Sequence, residues 1–295
     1  MQTAQPQQPQ RDLQATIKTL CRISEEQFTD PFEKLSWPES VDQAEWYFTP
    51  ELISIHGMPE YEALSETQKR RLSFYETINF FSLNIHGEKA LIEGLARNLY
   101  VRDDPNLSPY LHHFLDEENK HMIYFGRFCS YYAGKVYPEK KLTFPREFAS
   151  GEEEFMFFVK VMIFEEIVDL YNKVMGEDAR LVPLARDINR LHHIDESRHL
   201  AFGRTLVKWL HERYSKEWSE ETKTSISDYV AGYLTSTWRE YYNAAVYQDL
   251  GLNQPYELQE RAYQRPEARA HREKISKPCI QFLLKANILL KEPSL

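Results

Sequence analysis

Apolar residues recur every three or four positions from about residue 66 to the end of the chain, which is the periodicity of an amphipathic helix. No segment alternates between apolar and polar residues as a half-buried strand does. Breaks rich in Pro, Gly or Asp divide the region, with residues 103–106 ending its first helix and residues 136–148 connecting the second to the third. We predict helices at about 66–102, 108–134, 152–176, 178–214, 219–250 and 267–290.

The N-terminal part has a weaker pattern. Residues 1–12 are rich in Gln and Pro, so we expect a flexible tail there. Prolines interrupt the segment up to about residue 66, so no helix bounds are assigned within it. We expect residues 13–295 to form a single all-α domain, with the main bundle at about 66–214 and additional helices on both sides of it.

Two of the predicted helices carry Glu and His residues within otherwise apolar stripes. Glu118 and His121 form a Glu-x-x-His motif on the second helix. His192, Glu196 and His199 are spaced four and then three residues apart on the fourth, so all three share one face. Two imidazoles and a carboxylate on one face form a ligand set for iron, manganese or zinc.

The first and third predicted helices each offer one more carboxylate. Glu88 is the only charge in the apolar stripe of the first. On the third, Glu165 and Glu166 both have apolar neighbours, and Glu165 is preferred because it continues the apolar stripe and aligns with Asn172. One Glu from each of two helices plus Glu-x-x-His motifs from two others is the ligand set of a dimetal site in a ferritin-like four-helix bundle.

Charge neutralisation links these motifs. An isolated buried carboxylate is costly, whereas two cations neutralise several at once. Each motif alone is common on a solvated helix face, and a purely structural helical protein without metal is the plainest alternative. The occurrence of all four together favours the dimetal site.

Composition narrows the function further. The formal net charge of −9 over 295 residues, without a long basic block, argues against nucleic acid as a partner. Cys21, Cys129 and Cys279 are too far apart in sequence to indicate a disulfide framework or a zinc site. No apolar stretch approaches the roughly 20 residues that span a membrane, and no secretory leader pattern is present, so we expect a cytoplasmic protein without a membrane partner.

The residues from His192 to His199, with the Leu-Ala-Phe-Gly-Arg that follows them, resemble a signature of the p-aminobenzoate N-oxygenase (arylamine N-oxygenase) family of diiron oxygenases. Ferritin-like diiron proteins supply two Glu-x-x-His motifs and two further carboxylates. This family adds a third histidine one turn before the second motif, at the place that His192 occupies. Gly87-Glu88 and residues 117–122 also resemble the family.

The resemblance spans about residues 70–210, and we identify none of it in the first 65. It implies that one iron is bound by Glu88, Glu118 and His121. The other iron is expected at His192, Glu196 and His199. The carboxylates expected to bridge the two irons or to shift between them are Glu118, Glu165 and Glu196.

Residues around these ligands are less specific. Similarity to related diiron bundles implies that Glu117 and Asp195 hydrogen-bond the His ligands of the opposite motif, although both also suit a plain helix surface. Aromatic residues near the ligands suit either an apolar pocket or core packing: Phe81, Tyr124, Phe125, Phe164 and Phe202. Polar residues of the fifth predicted helix that are candidate substrate determinants are Tyr229, Tyr233, Thr237, Arg239 and Tyr241.

The resemblance implies an oxidoreductase that uses two iron ions and O₂ to oxidise a small organic amine to a hydroxylamine or nitro compound in specialised metabolism. Manganese is the alternative metal. The chain has no dinucleotide-binding Gly-x-Gly-x-x-Gly motif, so electrons are expected from an external reductase or a ferredoxin-like carrier. A homodimer is an open expectation.

Two rival functions remain on the sequence alone. One is a diiron hydroxylase, desaturase or C–C cleaving oxidase that acts on an aliphatic or carrier-bound substrate. The other is a ferroxidase or iron-storage protein, which the length, the third histidine and the extension past the bundle disfavour.

Overall fold

The computed structural model describes residues 8–101, 106–139 and 147–295, and within these ranges all regular secondary structure is helical. The all-α prediction is therefore confirmed. The helix predicted to reach about residue 102 ends at Arg97, while residues 103–105 and the central part of the connection, 140–146, fall outside the described residues. The helices are α1 (Gln8–Glu26), α2 (Pro59–Glu62), α3 (Glu66–Arg97), α4 (Ser108–Phe128), α5 (Glu152–Glu177), α6 (Pro183–Tyr214), α7 (Glu220–Glu240), α8 (Ala244–Leu250), α9 (Pro255–Gln264) and α10 (Pro266–Lys285).

Helices α3 to α6 form the ferritin-like bundle, in which α3 packs on α4 and α5 packs on α6. Local signals set their ends. Ser65 and Gln68 form a capping box at the start of α3. Helix α6 begins at Pro183 rather than near residue 178, because the first helical position needs no backbone N–H donor. One turn of π-helix, Cys129–Ala133, extends α4 up to Gly134, which has φ +63°.

Helix α1 is the largest element that the sequence pattern did not place. It begins at Gln8, so residues 8–12 are helical rather than a tail, and residues 1–7 lie outside the described residues. Leu13, Ile17 and Leu20 are buried at helical spacing, and α1 packs on α4 and α6. The stripe is present in the sequence, but it lies between a Gln- and Pro-rich stretch and a segment that prolines interrupt.

The fifth predicted helix is divided into α7 and α8, and a short helix that the sequence pattern did not place, α9, precedes the sixth predicted helix, which is α10. Asn243 separates α7 from α8, since its side chain caps the N-terminus of α8 and also donates to Asn79 Oδ1 across 2.7 Å. Pro266 starts α10, and the extended backbone of Arg265 before it ends α9. These breaks place α7 and α10 against α5.

A buried carboxylate, Glu76, lies on α3 three turns before Glu88. Its Oε1 accepts hydrogen bonds from the backbone N–H (3.1 Å) and the hydroxyl of Ser54. Burial raises the pKa of Glu76 to about 7, the Ser54 hydrogen bonds oppose this rise, and no neighbouring cation contributes. The folded protein therefore retains a proton there that the unfolded chain loses near pH 4.5.

The retained proton makes the free energy of unfolding depend on pH in a definite direction. As pH rises from about 4.5 to about 7, the unfolded chain releases the Glu76 proton and the folded chain does not, so stability falls. Above that range the cost is on the order of 3 kcal/mol. Glu76→Gln should remove this slope and be more stable than wild type at about pH 8. Urea unfolding at several pH values measures the free energy of unfolding of both proteins and its slope with pH. Exposed Glu93→Gln on α3 is the control, and equal slopes in Glu76→Gln and wild type would contradict the prediction.

Candidate metal centre

The structure brings together, in the interior of the bundle, seven Glu and His side chains from all four bundle helices. None is more than 3% exposed. They are Glu88 of α3, Glu118 and His121 of α4, Glu165 of α5, and His192, Glu196 and His199 of α6. These are the seven positions that the spacing predicted.

Their ligand atoms fall into two main groups. Glu88, His121 and His192 form one, and Glu118, Glu165 and His199 form the other, with the ligand atoms of each group within 4.8 Å of one another. Glu118 also groups with His121 and Glu196, so the carboxylates of Glu118 and Glu196 lie between the two. The arrangement suits two cations bound side by side.

The grouping differs from the one implied by the resemblance. His192 lies with Glu88 and His121, not with His199, and its Nε2 is 3.2 Å from Glu88 Oε1. The reason is helical rise, since seven residues separate His192 from His199 by about 10 Å along α6. The two histidines share a face but serve different ends of the site.

Glu165 and Glu166 have separate environments. The Glu165 carboxylate belongs to the group with Glu118 and His199. Glu166 instead accepts a hydrogen bond from Arg204 Nε, away from that group. The structure therefore places Glu165, the preferred residue of the pair, at the candidate centre.

Two acidic residues hold the histidines in a crossed arrangement. Asp195 of α6 contacts Nε2 of His121 on α4 at 3.1 Å, and Glu117 of α4 contacts Nε2 of His199 on α6 at 2.8 Å. Each acid thus bonds the histidine of the other motif, as the resemblance implied. A carboxylate partner keeps the proton on Nε2 and leaves the Nδ1 lone pair directed into the site.

His192 is oriented the other way, with Nε2 towards the carboxylates and Nδ1 against the side-chain amide of Asn172. A metal-binding Nε2 needs its lone pair, so Nδ1 must carry the proton. The amide oxygen of Asn172 is the group that accepts such a proton. If Nδ2 of Asn172 faced the ring, its Oδ1 would be buried without a hydrogen bond. We therefore assign the amide with the two atoms exchanged, so that Oδ1 accepts from His192 Nδ1.

Two basic residues that the sequence analysis did not single out pair with Asp195 and Glu117. Lys120 Nζ lies 2.6 Å from Asp195, and Arg198 donates to both Asp195 and Glu117. Both cations are buried. Their signal was present in the sequence, because residues 117–121 and 195–199 share the five-residue pattern acid-Glu-x-base-His. Only the Glu-x-x-His part of this repeat was used in the prediction.

The pKa values of the buried Glu and His side chains indicate that the centre is stabilised by positive charge. Burial, and then the charge of Glu196, raise the pKa of Glu165 well above its ordinary value. Burial also raises the pKa of Glu88 to about 7. The pKa of His192 is raised to about 10, because the charges of Glu196 and Glu88 outweigh its burial. Without cations, protons are held by groups that would otherwise bind metal.

The donor atoms also lack other partners. Within the described residues, nine buried atoms of the seven side chains have no hydrogen-bond partner outside the cluster. They are Glu88 Oε1 and Oε2, Glu118 Oε1, His121 Nδ1, Glu165 Oε1 and Oε2, His192 Nε2, Glu196 Oε2 and His199 Nδ1. Orphaned buried polar atoms are costly, and four carboxylates balance the charge of two divalent cations. The residues present therefore fit a pair of metal ions.

Aromatic rings enclose the centre. Phe114 stacks on His199 with ring centroids 3.9 Å apart, and Phe125 meets His192 edge-on at 5.0 Å. Tyr233 of α7 lies near Glu165, whose charge adds to burial in raising the tyrosine pKa. Arg239, a candidate substrate determinant, is instead half-exposed and paired with Glu260 at 3.2 Å.

The remaining candidates divide between packing and surface. Phe81 packs on Phe125, Phe164 fills the space beside Gly87, and Phe202 packs on Tyr110. Tyr124 is buried, Tyr229 is exposed, and the Thr237 hydroxyl donates to the Tyr233 carbonyl. Tyr241 lines a cavity two turns along the bundle from Glu88.

A family model described as p-aminobenzoate N-oxygenase AurF matches residues 10–287 of the chain. The chain belongs to this family. The match extends well beyond residues 70–210, so most of α1 and all of α10 belong to the family architecture as well as the bundle. No curated protein matches the chain.

Members of the AurF family are diiron N-oxygenases, so the chain is an oxidoreductase of this class. The buried Glu and His groups are consistent with that membership. Among the described helices, none is long and apolar enough to cross a membrane.

Proposed function

We propose that this AurF family enzyme binds two iron ions through the seven buried residues and uses O₂ to oxidise the nitrogen of a small amine. One observation carries the proposal, namely the convergence of buried, unpartnered donor atoms from four helices. Glu88, His121 and His192 would hold one ion, and Glu165 and His199 the other. Glu118 and Glu196 lie where each could serve both.

The overall reaction sets what must be supplied from outside. Conversion of an arylamine to its hydroxylamine inserts one oxygen atom of O₂ into an N–H bond, and the other leaves as water. This consumes two electrons and two protons. The bound irons would supply the redox chemistry that activates O₂. The electrons require a separate donor, for which we propose an external reductase or a ferredoxin-like carrier.

The side chains of the enzyme have three tasks at the centre. Asp195 and Glu117 hold the His121 and His199 rings through Nε2, with their lone pairs turned inward. The rings of Phe114 and Phe125 exclude water from the imidazoles. Lys120 and Arg198 keep the two supporting acids ionised, so that neither competes for protons at the centre.

Glu118→Ala and His199→Ala are expected to lose bound iron and to lose oxidation of p-aminobenzoate or another arylamine in the presence of a reductant. The matched control is Asp116→Ala, since Asp116 is an exposed acid on the same helix as Glu118. Iron is measured by elemental analysis after anaerobic loading, and product by chromatography.

Several results would contradict the proposal. Retention of two irons by both variants would remove these residues from the ligand set. Iron uptake well beyond two ions per chain would favour an iron-storage protein. Activity with manganese alone would show that the enzyme uses manganese in place of iron. Strict dependence on a carrier-bound aliphatic substrate would favour the hydroxylase or desaturase alternative.

A further inference from the structure

Two buried asparagines lie next to ligands of the candidate metal centre. Asn84 of α3 precedes Glu88 by four residues, about 6 Å along the helix, and Asn189 of α6 precedes His192 by three, about 4.5 Å. Residues three and four apart are neighbours on one face of a helix. Both asparagine side chains are fully buried. They therefore belong to the interior of the bundle, as the metal ligands do.

The directions of the helices place both asparagines at the same end of the centre. Helix α3 runs antiparallel to α5, and α5 runs antiparallel to α6, so α3 and α6 run parallel. The contacts that show these directions are Gly87 with Phe164 and Phe80 with Tyr171, between α3 and α5, and Glu165 with His199 and Asn172 with His192, between α5 and α6. Glu88 and His192 are in contact, with Oε1 and Nε2 3.2 Å apart. The two asparagines that precede them in sequence therefore lie on the same side of this pair.

The amide of each asparagine is oriented by its own helix. Nδ2 of Asn84 donates to the Phe80 carbonyl at 2.7 Å, and Nδ2 of Asn189 donates to the Ala185 carbonyl at 2.7 Å. The two amide atoms cannot be exchanged, since Oδ1 would then face a carbonyl oxygen. Within the described part of the chain, Oδ1 of each side chain has no hydrogen-bond partner. Each asparagine therefore presents one unpartnered acceptor in the interior.

Packing alone does not account for these two acceptors. A buried acceptor without a partner is costly, whereas leucine has nearly the same shape and no polar atom. At the other end of the centre the same two helices do carry apolar residues, all of them buried: Leu91 and Leu95 on α3, and Phe202 and Leu206 on α6. The asparagines thus mark the end of the centre at which a ligand would meet hydrogen-bond acceptors.

We propose that Asn84 and Asn189 bind the amino group of the substrate, each accepting one of its two N–H bonds. An aromatic primary amine is uncharged at neutral pH and carries two donors, so it satisfies both amide oxygens. Its lone pair then points away from the two oxygens, towards the candidate metal centre. The rings of Phe81 and Phe125, which pack with centroids 4.7 Å apart at this end, offer apolar surface to the aromatic ring of the substrate.

The proposal rests on the proposed function, because it places the amine nitrogen beside the metal centre that would oxidise it. It adds which residues recognise the nitrogen and why a primary amine is selected. A site built to hydrogen-bond N–H groups rejects analogues that lack them, because its buried acceptors are then left unpaired. Compounds of the same shape without N–H groups are therefore expected to bind weakly.

Two ligands of the same shape and charge test the role of the amino group. p-Aminobenzoate carries it, and p-toluate carries a methyl group in its place. Calorimetry on the iron-loaded protein, without a reductant so that no turnover occurs, is expected to show roughly tenfold or tighter binding of p-aminobenzoate. Asn84→Leu and Asn189→Leu should each lose most of this preference and leave p-toluate binding unchanged. A merely structural role would weaken both ligands alike.

Asn98→Leu is the matched control. Asn98 follows the last residue of α3, is only partly buried, and also donates to a carbonyl four residues back, that of Gly94, at 2.8 Å. The substitution therefore removes the same kind of hydrogen bond from the same helix, outside the interior of the bundle. Asn98→Leu should keep the wild-type preference.

Equal binding of the two ligands by wild type would overturn the proposal, and so would a preference that survives in either leucine variant. Iron analysis of the same samples separates this result from the fate of the proposed function. Full iron loading without an asparagine-dependent preference rejects the amine site alone. An asparagine-dependent preference in protein that cannot hold iron supports the amine site and rejects the oxygenase function.

Discussion

Glu165→Gln is expected to lower the iron content below two per chain and to reduce N-oxygenation by on the order of a hundredfold or more, whereas Glu166→Gln keeps both. Losing a mere hydrogen-bond partner of a metal ligand costs 10- to 100-fold, and removing a ligand costs at least as much. Glu165 lies among Glu118 and His199, while Glu166 pairs with Arg204. The neighbouring positions therefore provide a control with the same chemical change on the same helix.

The substitution also separates metal loss from unfolding. Burial and neighbouring carboxylates disfavour the charged form of Glu165 in the metal-free protein, so the neutral amide should not destabilise it. We expect the thermal unfolding temperature of metal-free Glu165→Gln to be no lower than that of wild type. Iron analysis, arylamine turnover and calorimetric unfolding on both variants make the test. Two irons and full activity in Glu165→Gln would remove Glu165 from the ligand set.

Residue spacing predicted the positions of the candidate centre because helix geometry is local. His192, Glu196 and His199 must share a face wherever α6 lies. A charged Glu88 in an apolar stripe would be costly to bury without a cation, so its position indicates a metal ligand. Helical rise alone places His192 and His199 at different ends of the site, but it does not say which residues of the other helices join each of them. That depends on how far α4 and α6 are shifted along each other, which the interhelical packing sets and the sequence period does not.

The features that the sequence pattern did not place have different causes. The helical period of α1 is present at Leu13, Ile17 and Leu20, but a Gln- and Pro-rich stretch and a segment with several prolines flank it. The break at Asn243 depends on its bond to Asn79, a residue 164 positions away in sequence. Such long-range contacts override local propensity and are visible only once the chain is folded.

Buried charge outside the metal site follows two different rules in this protein. Lys120, Arg198, Glu117 and Asp195 compensate one another, so they support the histidines at little cost. Glu76 has no cation and lowers stability above its pKa.

Arg198→Met is expected to lower the free energy of unfolding of the metal-free protein by about 2–3 kcal/mol, because it removes the charged donor that two buried carboxylates share. Arg198 contacts both Glu117 and Asp195; Glu117 then keeps His199 Nε2 at 2.8 Å, and Asp195 keeps Lys120 at 2.6 Å. Urea unfolding near neutral pH measures the loss. Arg198→Lys keeps the charge but not the planar donor pair and should fall in between.

The matched control is Arg190→Met on the same helix, since Arg190 is exposed and pairs only with Asp187 at 2.9 Å. An exposed pair of this kind contributes at most about 1 kcal/mol. If Arg198→Met were as mild as Arg190→Met, the two buried contacts of Arg198 would contribute no more than an exposed ion pair. The support that Arg198 gives to Glu117, and through it to the His199 ring, would then have no measurable effect on stability.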